Sequence, residues 1–240
     1  MSRSSDSLTP KTIPVSASKN GHKHEQELMG DAHFMTGIET PMRENAFSLS
    51  DEEKIEIIEE HFEKIMHTLG LDTTDESLSG TPHRVAKMYV QEVFSGLNPV
   101  NQPDARKFSN KYEYGHMVVE KNIRLNSFCE HHFLPFIGKA HVGYISRGKV
   151  IGLSKINRMV EYYASRPQVQ ERLTLQIAEA LQNALETPDV AVYIDSKHLC
   201  VSTRGIKDDS SSTVTADYRG AFKEPENQQR FIDYIKTELR

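Results

Sequence analysis

Phe136-Ile-Gly-Lys-Ala-His-Val-Gly-Tyr-Ile145, running on through Ser-Arg-Gly148 to Lys-Val-Ile151, decides the fold class. Apolar, β-branched and aromatic residues around a Gly-containing turn read as a hairpin. Upstream, Met117-Val-Val119 and Ile123-Arg-Leu125 are two more short extended runs. Downstream, Val190-Ala-Val-Tyr-Ile-Asp195 is a β-branched strand continuing toward His198-Leu-Cys200, and Thr213-Val-Thr-Ala-Asp-Tyr-Arg219 is another. Between the first runs and the hairpin lies Ser127-Phe-Cys-Glu-His-His-Phe-Leu-Pro135, with Cys129 to His132 in a turn that Pro135 closes.

Helical patterns flank and interrupt these strands. Ser50-Asp-Glu-Glu53 fits a capping box, and Ile55, Ile58, Phe62, Ile65 and Leu69 then recur at helical spacing, predicting one buried face up to Gly70. A second helix starts at Thr81-Pro82, with Thr as cap and Val85, Tyr89 and Val93 as its apolar stripe, and Gly96 ends it. Arg84 and Lys87 lie off that stripe and read locally as a solvated face. Residues 97–112 are a polar connection. Ser154 to Tyr163 is a helix capped by Ser154, with Ile156, Met159, Val160 and Tyr163 inward. Lys155 and Arg158 share another face near its N-terminus, as a phosphate clamp or as ordinary surface charge. Pro167 opens a helix carrying Val169, Leu173, Ile177, Leu181 and Leu185, with Gln170 and Glu171 in its first turn. Glu226 to Leu239 closes the chain as an amphipathic helix. The whole is α+β.

Residues 1–48 are rich in Ser, Lys, Asn, Gly and Thr without periodicity, and read as a disordered tail; its His22, His24 and His33 have no cysteine partner. No apolar run is long enough to span a bilayer, and no apolar segment at the N-terminus marks a secretory signal. Two cysteines are too few for a disulfide framework, so a cytoplasmic protein with reduced thiols is expected. A net charge of −5 argues against broad nucleic-acid binding, while leaving room for a local basic pocket for a small anion.

The chemistry lies with those two cysteines. Cys129 has His131 and His132 beside it, and Cys200 has His198 two residues away. Two thiolates and one imidazole, Cys129, His132 and Cys200, make a zinc ligand set, and three protein ligands leave a fourth position for water. His131 or His198 as a fourth ligand would instead close the site. If the strand runs on through Cys200, alternation puts His198 and Cys200 on one face, so that His198 flanks the metal. A zinc nucleobase deaminase would need an H-x-E and P-C-x-x-C signature, which is missing.

Taken together, Gly80-Thr-Pro-His-Arg-Val-Ala-Lys-Met-Tyr89, Phe128-Cys-Glu-His-His-Phe-Leu-Pro-Phe136, Gly152-Leu-Ser-Lys-Ile-Asn-Arg158, Gln168-Val-Gln-Glu-Arg-Leu173, His198-Leu-Cys200 and Ser202-Thr-Arg-Gly205 resemble GTP cyclohydrolase I of the zinc-dependent type. The resemblance begins near Ser50 and runs to the C-terminus. It implies a T-fold, an antiparallel sheet with layered helices, over residues 113–240, preceded by a helical part over 49–112. It also implies a homodecamer of two pentameric rings with active sites between subunits.

The implied reaction turns GTP and two waters into 7,8-dihydroneopterin triphosphate and formate, the first step of tetrahydrofolate and pterin biosynthesis. By resemblance Cys129, His132 and Cys200 hold Zn2+, which would make hydroxide available at neutral pH for attack on C8 of guanine. His198 would donate to N7, His131 would assist proton movement, and Ser154 with His198 would take part in ring closure. Glu171, with Gln170 beside it, would recognise guanine. Lys155, Arg158, Arg204, Lys87 and Arg84 would hold the triphosphate. Two other readings stand beside this one. Another T-fold enzyme acting on a pterin or deazaguanine would not need the Cys129, His132 and Cys200 set; a catalytically silent zinc-stabilised assembly would be expected to lose Glu171, His198 or the cations.

Overall fold

The computed structural model describes residues 38–104 and 107–238. Residues 1–37, including His22, His24 and His33, lie outside the described residues. The described part of the sequence read as a tail, from Ile38, is turn and loop, and the Ile38 carbonyl accepts from Gln176 Nε2 at 2.6 Å.

Helix α1, Asp51–Thr68, starts with the expected capping box: Ser50 Oγ accepts from Glu53 N–H, and Ser50 N–H donates to the Glu53 carboxylate. Its apolar stripe is covered only in part. Ile55 and Met66 are buried, whereas Ile65 is 52% and Leu69 73% exposed; α1 packs on the short α2 (Thr81–Met88) and on the turn that follows it. Helix α2 is capped by Gly80 rather than Thr81; Thr81 is already helical and its Oγ accepts from Arg84 Nη2. A π-helical turn, Tyr89–Val93, and a 3-10 turn, Ser95–Leu97, follow.

Strands β1 (Lys107–Ser109), β2 (Met117–Cys129), β3 (Pro135–Ile145) and β4 (Lys149–Ile151) come next. Helix α3, Leu153–Ala164, then β5 (Pro167–Gln168), helix α4 (Gln170–Leu185), β6 (Val190–His198) and β7 (Thr213–Tyr218) complete the layers, and α5, Pro225–Lys236, ends the description. The main sheet has the order β5-β2-β3-β6-β7. It is antiparallel except for the two-residue parallel pairing of β5 with the end of β2.

The hairpin is not where the sequence reading put it. Strand β3 has β2 on one side and β6 on the other, so no edge is left for β4, which pairs with β1 in a separate two-stranded sheet. The true hairpin is β2–β3, and its turn is the Cys129–Pro135 segment. The two runs read upstream are one strand interrupted by a bulge between Glu120 and Ile123, where Asn122 takes φ 59°. One extra residue exchanges the faces of a strand. Met117 therefore packs with Phe222 and Phe231 under α5, whereas Leu125 and Cys129 turn to the opposite face, under α3 and α4.

That second face holds the larger core: Leu125, Phe136, Ile156, Leu173, Ile177, Leu181 and Ile194 are all fully buried. Each such side chain contributes roughly 1.5–3 kcal/mol by removal from water, enough to fix α3 and α4 on the sheet. The expected α+β T-fold arrangement, layered helices on an antiparallel sheet with a helical part before it, is what the protein adopts. Two more helix starts, besides that of α2, differ from expectation. Helix α3 is capped by Gly152, with Ser154 inside its first turn, and Pro167 belongs to β5, so that Val169 caps α4.

Candidate metal centre and its surroundings

Cys129 ends β2 and His132 lies three residues on, within the β2–β3 turn. The turn is narrow: Cys129 N–H donates to Leu134 O at 2.8 Å and Phe133 N–H to Cys129 O at 2.9 Å. Phe133 takes φ 53°, a left-handed conformation that costs a non-glycine residue on the order of 1 kcal/mol or more. Aromatic packing accompanies it, since Phe133 meets Phe94 edge-on at 5.2 Å, and Phe94 also meets Phe128 at 5.5 Å.

Cys200 arrives from the next strand but one. Strand β6 pairs with β3 so that His198 is opposite Phe136, beside the turn. The chain does not stay extended through Cys200: β6 stops at His198, and Leu199–Ser202 is a single helical turn. That turn brings Cys200 back to Cys129 and His132, and ligand atoms of all three lie within 4.8 Å of one another. Among the described residues this is the one group of three or more His, Cys, Asp or Glu side chains so arranged.

The two sulfurs do not share charge equally. The Cys200 thiol hydrogen-bonds to Cys129 and, with help from His132 and His131, holds the Cys129 thiol far below its usual pKa against the effect of burial. The same bond and burial push Cys200 up. His131 Nδ1 is 3.6 Å and His132 Nδ1 3.8 Å from Cys129 Sγ. Soft sulfur donors with an imidazole at this spacing fit a tetrahedral metal with one position left open.

His198 is held in another way. Its ring stacks on Phe136, with centroids 4.6 Å apart and planes 9° from parallel. Its Nε2 faces Gln170 Oε1 at 2.8 Å. The amide of Gln170 cannot be turned round, because its nitrogen donates to Ile194 O, Thr213 O and Thr215 Oγ1, and carbonyls only accept. His198 Nε2 therefore carries a proton and donates, and Gln170 Oε1 also accepts from Ser196 Oγ at 2.5 Å. Burial lowers the His198 pKa, while the Cys129 and Glu171 charges oppose that fall.

Gln170, expected beside Glu171 at the guanine, is 1% exposed, and its amide is engaged by Ile194, Thr213, Thr215, Ser196 and His198, so that it orients the His198 ring. Glu171, one residue on, is exposed and close enough to His198 to act on its charge.

The cations are dispersed. Arg204 Nη1 donates to His132 Nε2 at 2.6 Å, so it is already at the metal group. Arg84 and Lys87 lie exposed on α2. Ser154, Lys155 and Arg158 belong to the first half of α3. Lys155 and Arg158 line a groove of about 1070 Å³ between β2, α3 and residues 91–104, and Cys129, His132 and Cys200 do not line it.

Arg172 escaped the sequence reading. It is 1% exposed, yet its guanidinium forks onto Glu130, Nη1 to Oε2 at 2.5 Å and Nη2 to Oε1 at 3.2 Å. A signal was present: a cation in the first turn of a helix opposes the helix dipole, so an arginine there needs a reason.

Comparison with known proteins agrees with this geometry. The family described as GTP cyclohydrolase I matches residues 58–236. A GTP cyclohydrolase 1 of Flavobacterium johnsoniae is 61% identical over 212 residues, 88% of this chain and 95% of that protein. Those of Aeromonas salmonicida and Vibrio parahaemolyticus are 52% and 50% identical, covering 83% and 90% of this chain and 91% and 100% of theirs. With a match of that extent, and with the cysteines and histidine of its motifs converging in space, the chain belongs to the GTP cyclohydrolase I family.

Proposed function

We propose that the protein is a zinc-dependent enzyme that hydrolyses and rearranges GTP to 7,8-dihydroneopterin triphosphate and formate. The observation that carries the reading is the meeting of Cys129, His132 and Cys200 beside an oriented His198 and an exposed Glu171, in a chain of this family. Zn2+ held by those three residues supplies a Lewis acid that activates water at neutral pH.

The chain's own groups do the rest. The Glu171 carboxylate accepts two hydrogen bonds from the guanine amide and amino groups. His198, with its Nε2 proton engaged by Gln170, donates to N7 from Nδ1 when the ring is doubly protonated, and its lowered pKa makes that imidazolium a stronger acid. His131, 3.6 Å from Cys129 Sγ, assists proton movement as the ring opens. After a second hydrolysis releases formate, Ser154 and His198 serve the rearrangement and ring closure. Lys155, Arg158, Arg204, Lys87 and Arg84 neutralise the triphosphate.

The same reading takes the protein as a cytoplasmic homodecamer of two pentamers, with sites completed across subunits. Two observations support assembly. The sheet ends in β7 on one side, and on the other β5 covers only Phe128 and Cys129 of β2, so both edges can take another chain. Lys155 and Arg158 line a groove apart from the metal group, as expected if they serve a neighbour's site. Among the described residues no helix is long and apolar enough to cross a membrane.

Incubation of purified protein with GTP tests the reading directly. Formate is quantified, and the product is oxidised for neopterin fluorescence, with and without a chelator. Stoichiometric formate and pterin, both lost on chelation and restored by Zn2+, are expected. Formate without pterin would rule out the complete reaction, and no turnover by folded, zinc-loaded protein would overturn the enzyme reading.

A further inference from the structure

Glu130 stands between Cys129 and His131, and its side chain is gripped by the fully buried Arg172 through two parallel hydrogen bonds. A guanidinium withdrawn from water at the positive end of a helix is unfavourable twice over, by desolvation and by the dipole. Packing does not explain it, because an apolar side chain would fill the same space without either penalty. What the arginine adds is a planar fork that fixes a carboxylate in position and angle.

The segment so fixed needs restraint. It includes Phe133 in the left-handed region, and among the described residues its backbone is tied outward through Glu130 N–H to Gln168 O at 3.0 Å. The Glu130 carboxylate also lies 3.8 Å from His131 Nε2. Arg172 is the third residue of α4, directly after Gln170, which orients His198, and the exposed Glu171. One helical turn thus holds three separate parts of the site.

We propose that Arg172 is a positioning residue of the active site: by gripping Glu130 it holds Cys129 and His132 in register with Glu171 and His198. The inference rests on the reading of the site as a metal-dependent cyclohydrolase centre, and its test separates the two.

Glu130→Gln keeps the side-chain size and one acceptor but removes the charge-matched fork. Arg172→Lys keeps the charge and loses the fork. The full-length variants are stripped of metal and titrated with Co2+, following thiolate-to-metal and d–d absorption, which reports coordination without turnover. For Glu130→Gln, Co2+ binding weakened about 10–100-fold with displaced bands is expected, and a kcat for GTP lowered by a similar factor. KM should stay near that of the unaltered protein, since no substrate contact is removed.

A Glu130→Gln protein with unaltered Co2+ bands, affinity and kcat, and only a lower melting temperature, would reduce the pair to a structural tie and overturn the proposal. If that variant does not fold, the Co2+ bands of Arg172→Lys decide: displacement supports positioning, and unaltered bands overturn it. Failure of the underlying reading shows elsewhere, as unaltered protein that makes no formate from GTP while its Co2+ titration remains readable.

Discussion

Cys200 and His198 are two residues apart, and their replacement should separate binding from chemistry. Cys200→Ser removes one of two sulfur donors and is expected to abolish metal retention and formate release together. His198→Ala removes a ring outside the three-ligand group and should abolish turnover with metal retained, as metal analysis of the purified variants would tell. Loss of metal from His198→Ala would make His198 a ligand and close the open site.

His141 offers a pH prediction independent of the metal. Burial lowers its pKa, with the Lys139 and Lys121 charges adding and Asp195 opposing. The folded state thus binds its proton less readily than the unfolded chain, so stability is complete above the unfolded pKa of about 6.5 and falls as pH drops below it. His141→Gln should lose less melting temperature than the unaltered protein between pH 7 and pH 5.

The candidate metal group was legible in the sequence because the chemistry depends on residue type: two cysteines, each near a histidine, leave few alternatives. The convergence of Cys200 was expected through an extended strand and is achieved by a helical turn instead. Gln170 and Arg172 were illegible in their roles, since their partners, His198 and Glu130, lie 28 and 42 positions away. Only the fold brings them near.

Among the elements, the junction of the helical part with the layered part rests on a glycine. Gly96 N–H donates to Ser165 O at 2.9 Å, and Arg166 Nε donates to Gly96 O at 2.8 Å, bringing two backbones into direct contact at the end of α3. A Cβ on residue 96 would overlap the Tyr162 carbonyl. Gly96→Ala is therefore expected to destabilise the protein by about 1–3 kcal/mol, read as a lower melting temperature, with metal affinity of the folded protein little changed. The types of the longer helices and strands were legible, because periodicity is a local property; β1, inside the stretch read as a polar connection, and the helical turn Leu199–Ser202 were not. Pairing was not: the Gly148 turn looked like a hairpin loop, but which strands border β3 is decided by β6, 45 or more residues beyond it. The bulge at Asn122 was hidden too, since it made one strand look like two short runs.

For the molecule as a whole, Lys155 and Arg158 supply the sharpest expectation. If their groove faces a neighbour's metal group, Cys200→Ser and Arg158→Ala proteins are each inactive alone but complementary. Co-expression should return part of the turnover, because some interfaces then pair an intact metal group with intact cations. No recovery in mixed oligomers would assign both features to one chain. The exposed Ile65 and Leu69 at the end of α1 point the same way: the last part of a stripe read from periodicity as buried is uncovered among the described residues. Periodicity tells which face is apolar and is silent on whether the same chain or another covers it.

The first turn of α4 has a consequence for how such sequences diverge. Successive residues of a helix point about 100° apart, so Gln170 faces His198, Glu171 faces solvent and Arg172 faces Glu130. Substitutions can be compensated one at a time. A single-codon insertion after Val169 cannot, for it would rotate all three side chains off their partners while leaving every motif residue in place. A relative carrying such an insertion would still match the motif residue for residue in composition, and should bind neither metal nor GTP normally.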